Sequence, residues 1–437
     1  MRQHMMGSMI ALTALLGGSV QAQLLPGPIG ALPGQVTGAL LPSLAQGGPA
    51  TVGSMVDTLG LDRVGEGLDR ASLRDLRRAR LHALIGANRA TLEADENGSP
   101  VRRGEVIVLD PSPALLTKVQ TVGFTVLRQD RIVGLDIAVV ILRAPKGDNG
   151  REALVRLRKL DPAGQFELNH IFEPAGSALM ATTAALAAGS SGKGHAIGMI
   201  DGGVAAHPSL AAARIEQRGF VPGAPRASGH GTAIASLLVG NDGRFQGAAR
   251  DHALLAADVY GGEPASGSAE AIARAIGWLA TNGVRVANIS LVGPPNRLIE
   301  RAVQVAQSRG MTIVAAVGND GPAAPPQYPA SYHGVIAVTG VDARDRALLE
   351  AGRAAHLDLA APGADMAAAL PGMGYAVVRG TSFASPLVAA RFAVASGDSA
   401  ARLATVTSEA QPGRGNIGRG IVCKPCRIAP ATVGAKK

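Results

Sequence analysis

Between residues 195 and 395, short runs rich in Val, Ala and Ile alternate with longer stretches whose apolar residues recur every three or four positions. The runs at 195–200, 253–259, 284–289, 312–316 and 335–338 predict strands, and the stretches at 268–282 and 296–309 predict helices. Strands that are apolar on both faces need cover on both sides, so the pattern implies an α/β fold with a parallel sheet sandwiched by helices. Ligands of such sheets bind at the carboxyl ends of the strands.

Residues 105–174 carry a second pattern: strand 105–109, helix 113–122, strands 124–128 and 135–142, helix 151–160 and strand 165–172. This β-α-β-β-α-β order is that of a small α+β, ferredoxin-like sandwich. The stretch that joins the two patterns, 175–194, is rich in Ala, Gly, Ser and Thr and reads as an exposed, cleavable linker. Upstream, 62–104 is a charged helical segment in which Leu73, Leu76, Leu81, Leu84 and Ile85 share a face. Arg70, Arg74, Arg77, Arg78 and Arg80 lie mostly on its other faces, and with Asp69 and Asp75 interleaved these are expected to be solvated. Residues 23–61 form a flexible Pro- and Gly-rich leader. At 1–22, Arg2 and His4 precede an apolar run too short to span a bilayer, and Val20 and Ala22 supply the small residues of an export cleavage site. The main domain is then 195–399, followed by a tail at 400–437.

Composition narrows the class. With 7 Phe, 4 Tyr and 1 Trp in 437 residues, both cores must be built from aliphatic side chains. The net charge of +9 comes without any long Lys/Arg run, so no nucleic-acid partner is expected. No later segment reaches about 18 unbroken apolar residues, so no membrane span is expected after the signal is removed. The product is expected in the periplasm or outside the cell. Cys423 and Cys426 leave the rest of the chain without thiols; their spacing reads as a local disulfide, with half of a metal site as the alternative.

Three segments place chemically capable residues at strand ends or helix starts. Asp201 closes the apolar run 196–200. His230 lies in Ser228-Gly229-His230-Gly231-Thr232, just before an aliphatic stretch, and Ser382 lies in Gly380-Thr381-Ser382-Phe383-Ala384-Ser385-Pro386, again opening a helix. Each alone reads equally well as a turn or capping residue. A histidine at a helix start disfavours its charged form unless a carboxylate compensates, which is a reason to want Asp201 beside it.

In the order Asp, His, Ser, with separations of 29 and 152 residues, these segments resemble the subtilisin-type serine proteases, whose triad is a worked example of nucleophilic catalysis. Four further stretches strengthen the resemblance: Asn288-Ile289-Ser290-Leu291-Val292-Gly293, Ala315-Ala316-Val317-Gly318-Asn319-Asp320, Tyr328-Pro329-Ala330 and, as a structural turn, residues 357–363. The resemblance implies a serine endopeptidase that hydrolyses peptide bonds in protein or peptide substrates. Ser382 would be nucleophile, His230 general base, Asp201 its orienting carboxylate and Asn319 the oxyanion donor. Substrate would bind along Ser290, Leu291, Val292 and Gly293, with Gly318 and Gln327 at the specificity pocket. It also implies that 105–174 is a propeptide: an intramolecular inhibitor removed by autolysis within 175–194.

The chain departs from the family in places. Gly202 stands where relatives usually carry a hydroxyl that helps orient the Asp. Val292 replaces a usual Gly, and Gln327 stands where the pocket floor often has Gly; both narrow the pocket toward small side chains. Phe383 follows the nucleophile where many relatives have Met. No cofactor is expected; calcium is common in the family, but no dense oxygen-ligand loop is visible. The competing readings are a catalytically silent homologue that binds peptides or partners, supported by Gly202 and Val292, and an esterase using the same triad.

Overall fold

The apolar runs predicted as strands between residues 195 and 338 all lie in one seven-stranded sheet of a computed structural model, which describes residues 70–175 and 196–435. The expected signal, the leader and the linker interior lie outside the described residues.

The N-terminal unit begins with helix α1 (Arg70–Ala87) and strands β1 (Leu92–Ala94) and β2 (Pro100–Leu109). It continues through α2 (Pro113–Thr121), β3 (Thr125–Ile132), β4 (Ile137–Arg143), α3 (Gly150–Leu160) and β5 (Gln165–His170). Strand β2 pairs antiparallel with β4 and β5, and β3 with β4, the arrangement of a ferredoxin-like sheet. Part of the segment at 62–104 therefore joins this sheet. The run expected as one strand at 165–172 leaves the sheet after His170, because Ile171 and Phe172 turn into the other domain.

The second unit carries β7 (Ala196–Asp201), β8 (Ile215–Gly219), helix α4 (Gly229–Val239), β9 (Ala253–Asp258) and α5 (Ala269–Thr281). Then follow β10 (Val286–Ile289), the short β11 (Leu291–Val292), α6 (Arg297–Ser308), β12 (Thr312–Ala316), β13 (Ile336–Val341), β14 (Leu359–Pro362) and α7 (Thr381–Val394). The sheet order is β14-β13-β12-β10-β7-β9-β8, all parallel. Alternation along the strands serves both faces: Val314, Ile336 and Val338 join the cluster under α4 and α7, while Ile313, Ala315 and Ala337 join the one under α5 and α6. Residues 357–363, expected as a turn, contribute the edge strand β14, whose four residues are all buried.

The same period-two logic joins the two units. Val106, Val108, Val140 and Leu142 face α2 and α3 within the small domain. Their alternates Ile107, Leu109, Val139 and Ile141 share one apolar cluster with Ile272 and Ile276 of α5 and Leu298 and Ile299 of α6. At roughly 2 kcal/mol per buried aliphatic side chain, this face is the main hold between the domains. Arg128 pairs with Glu270 and Arg274 with Asp130, both at 2.7 Å, at its rim.

Two arginines of α1 differ from expectation. The face that looked solvated carries Arg77 and Arg80 into contact with the second domain, where both pair with Asp320 and Arg80 also pairs with Glu173. Burial opposes the Arg80 charge, but the two carboxylates outweigh it and raise its pKa. Beyond residue 399 the chain stays on the main domain: Ile421 bridges to Ala360 and Gln411, and Val406, Ile421 and Val422 are buried. Cys423 and Cys426 form the local disulfide.

Candidate active site

Strand β7 is central in the sheet, with β9 on one side and β10 on the other, so its carboxyl end is the point where the strand order reverses. Asp201 is the last residue of that strand. It is fully buried, and the Gly202 N–H donates to its Oδ1 at 2.7 Å. His230 enters from the first turn of α4, where Ser228 caps the helix by accepting from the Gly231 N–H at 2.9 Å. Its Nδ1 lies 2.9 Å from both Asp201 oxygens, while its Nε2 is buried without a hydrogen-bond partner. A methyl group at Gly202 would fall 2.3 Å from Ser228 Oγ, so the space of the absent hydroxyl side chain is taken by the cap of the histidine's helix.

Helix α7 brings the serine. The His230 ring packs 5.4 Å from that of Phe383, the residue after Ser382. Ser382 Oγ is buried and makes no hydrogen bond, so the serine–histidine bond is not formed in this arrangement. Pro386 lies inside the helix and cannot donate to the Ser382 carbonyl, four residues earlier. Ser290 Oγ supplies that donor instead, at 3.0 Å, and so ties the substrate-strand segment to the nucleophile's turn.

Asn319 follows Gly318, whose φ of +88° sets the sharp turn at the end of β12. The Thr381 N–H donates to Asn319 Oδ1 at 3.0 Å, and Thr381 Oγ1 accepts from the Gly318 N–H at 3.1 Å. This clamp fixes the amide through its Oδ1 and leaves Nδ2 to donate into the groove. A Cβ built on Gly380 would be 2.8 Å from Asn319 Nδ2 and 3.5 Å from Ser382 Oγ, so both groups flank one point. Asp201, His230, Asn319 and Ser382 are thus brought together at one edge of the sheet.

Residues 171–175 run through this place. Ile171 bridges to Ser268, and the Phe172 N–H donates to the Gly267 carbonyl at 2.7 Å. Glu173 and Pro174 form β6, antiparallel to Leu291–Val292, and the Ala175 N–H donates to the Ser290 carbonyl at 2.8 Å. The Ala175 carbonyl accepts a hydrogen bond from Asn319 Nδ2. Its methyl group is buried against Val292 and Ala316. Val292 Cγ1 and Gln327 Cγ would stand 3.1 and 3.5 Å from a Cβ at Gly318, so both crowd the pocket.

Of the expected substrate residues, Ser290, Leu291 and Val292 meet the segment through the main chain, and Gly318 and Gln327 lie beside Val292, against which Ala175 packs. Gly293 does otherwise: its N–H and carbonyl pair with Tyr328, and it meets the segment by lying under the Phe172 ring, where a Cβ would clash at 2.5 Å. Three contributors escaped the sequence reading. Gly267 acts through its carbonyl, which no side-chain pattern reveals. Tyr260 donates its hydroxyl to the Phe172 carbonyl at 3.1 Å. Burial, aided by Asp201, Glu173 and Asp258, pushes its phenol well above the usual 10, so it stays a donor. Asp258 accepts from the N–H groups of Arg226, Tyr260 and Gly261, linking the histidine loop to the Tyr260 loop; burial raises its pKa.

The chain belongs to the Subtilase family, whose model matches residues 192–407. It is 38% identical over 210 residues to subtilisin Savinase of Lederbergia lenta, covering 46% of this chain and 76% of that protein. An alkaline protease of Alkalihalobacillus alcalophilus is also 38% identical over 210 residues, and there the chain spans 53%, about half, of the relative's length. Among solved structures, fervidolysin of Fervidobacterium pennivorans, described as a keratinolytic enzyme related to subtilisin, matches with a TM-score of 0.61 at 18% identity, over 79% of this chain and 62% of that one. That likeness is one of fold.

Proposed function

We propose that the chain is the precursor of an exported serine endopeptidase that cuts itself after Ala175 and then hydrolyses peptide bonds in other proteins. The observation that carries this reading is the course of residues 172–175: extended, paired with Leu291–Val292, and ending with the Ala175 carbonyl on the Asn319 amide. A peptide strand added to an edge is how this class of site holds substrate.

In this reading Ser382 Oγ attacks the Ala175 carbonyl carbon while His230 Nε2 takes its proton. Asp201, on Nδ1, holds the tautomer and offsets the imidazolium charge. The oxyanion is met by Asn319 Nδ2 and by the Ser382 N–H at the start of α7. Collapse releases the Gly176 amine with the proton from His230, and water, activated by the same imidazole, then frees the Ala175 carboxylate and restores the serine. Two buried polar atoms without partners, Ser382 Oγ and His230 Nε2, are the two this chemistry requires to be free. The pocket around Ala175, crowded by Val292 and Gln327, supports a preference for small residues before the cut. Residues 70–175 then act as the chain's own inhibitor, held by the apolar sheet face and by Phe172. The export segment at 1–22 supports a periplasmic or secreted product.

The test is the intact mass of the wild-type chain and of Ser382→Ala, each produced without residues 1–22. The wild type alone should yield a form beginning at Gly176. A wild type that stays full length would leave the silent, peptide-binding form of the fold in its place.

A further inference from the structure

Asp320 directly follows Asn319 and is only 4% exposed. Among the described residues the cations paired with it are Arg77, at 2.9 Å, and Arg80, at 3.1 Å. Both belong to α1, on the part of the chain that cleavage after Ala175 separates from the main domain. The same Arg80 Nη2 that reaches Asp320 also reaches Glu173 at 3.2 Å. One nitrogen therefore joins the two carboxylates, which lie no more than about two hydrogen-bond lengths apart. Glu173 is the third residue before the proposed cut, counting Ala175 as the first.

This arrangement has a consequence once α1 departs. Asp320 loses both cations, together with the cover that α1 gives it, and is left as an unpaired carboxylate beside the groove, open to a new cation. A substrate with glutamate in the third position would set two carboxylates against each other across the space of one guanidinium. A lysine there is one atom longer than glutamate and an arginine two, so either carries a positive charge into that space toward Asp320.

We propose that Asp320 is a specificity residue of the processed protein, selecting peptides with lysine or arginine as the third residue before the scissile bond. The inference rests on the peptidase reading above. It also assigns Arg80 a role: it lets the chain's own Glu173 occupy a position that the freed site disfavours.

The test uses the self-processed full chain, cleared of its N-terminal fragment, on the peptides Ile-Phe-Xaa-Pro-Ala-Gly with Lys, Gln or Glu at Xaa. At low ionic strength Lys should exceed Glu by about tenfold in kcat/KM, with Gln between them, the size expected of one partly enclosed charge pair. In 1 M salt, where screening acts within about 3 Å, the ratio should shrink toward one. Asp320→Asn should bring the Lys-to-Glu ratio within about twofold, and because the ratio is internal to each preparation, a misfolded fraction of the variant cancels. Equal rates for the wild type, a preference for Glu, or a Lys preference that survives in Asp320→Asn would overturn the assignment while leaving the peptidase reading intact. No hydrolysis of any of the three peptides by the self-processed protein would overturn the assignment alone, and a chain that does not process itself would refute the peptidase reading and this inference with it.

Discussion

Replacing Phe172 by alanine should loosen the N-terminal segment from the groove without unfolding either domain. Phe172 is fully buried in the cluster that holds Leu291, Ala269 and Ile272, and lies outside the small domain's own core. Its main-chain bonds to Gly267 and Tyr260 do not depend on the ring. Truncating a buried Phe costs about 3–5 kcal/mol; the low end applies here, since an emptied groove can fill with water. About 3 kcal/mol is roughly a hundredfold in dissociation constant. The assay is serial dilution of processed wild type and Phe172→Ala while following reporter-peptide hydrolysis. The variant should become active at a concentration about a hundredfold higher than the wild type. Coincident dilution curves would refute the reasoning, because the ring would then contribute nothing to the hold.

Asn319→Ala removes the donor to the attacked carbonyl and should lower kcat by about 10² to 10³ with little change in KM; steady-state kinetics showing near-normal turnover would exclude the oxyanion role. Cleavage after Ala should exceed cleavage after Phe by about tenfold or more in a matched peptide pair, and Gln327→Gly should narrow that gap by opening the space beside Gly318. Burial opposes the charge on Asp95, but the His170 hydrogen bond and the N–H groups of Ser99 and Asn97 outweigh it and lower its pKa. That contribution to stability is complete above the unfolded value of about 3.9 and disappears as pH falls through the folded value. Denaturation of the Ser382→Ala precursor should therefore show Asp95→Asn destabilising by about 1–3 kcal/mol at pH 7 and by progressively less as pH falls below about 3.9; a pH-independent difference would contradict this.

The interface shows where local pattern stops being informative. The run from Val106 to Leu109 is apolar on both faces, and that alone says both faces are covered. That the second cover is α5 and α6, more than a hundred residues away, depends on contacts that leave no local period. Arg77 and Arg80 illustrate the same limit: a basic helix face interleaved with acids reads alike whether it meets water or a carboxylate such as Asp320. Asp201, His230 and Ser382 were legible because a strand end and two helix starts follow from neighbouring residues, and their order resembles a known family.

The sequence by itself determined the strands and helices, their two-sided burial and the identity of the chemically capable residues, because each follows from near neighbours and the period of the chain. Only the tertiary structure decided which segment lies along Leu291–Val292, that Ala175 is the residue held at Asn319, and that Gly267, Tyr260 and Asp258 support that arrangement. Those assignments rest on main-chain atoms and on charges brought together across long chain separations, where no residue's neighbours record its partner.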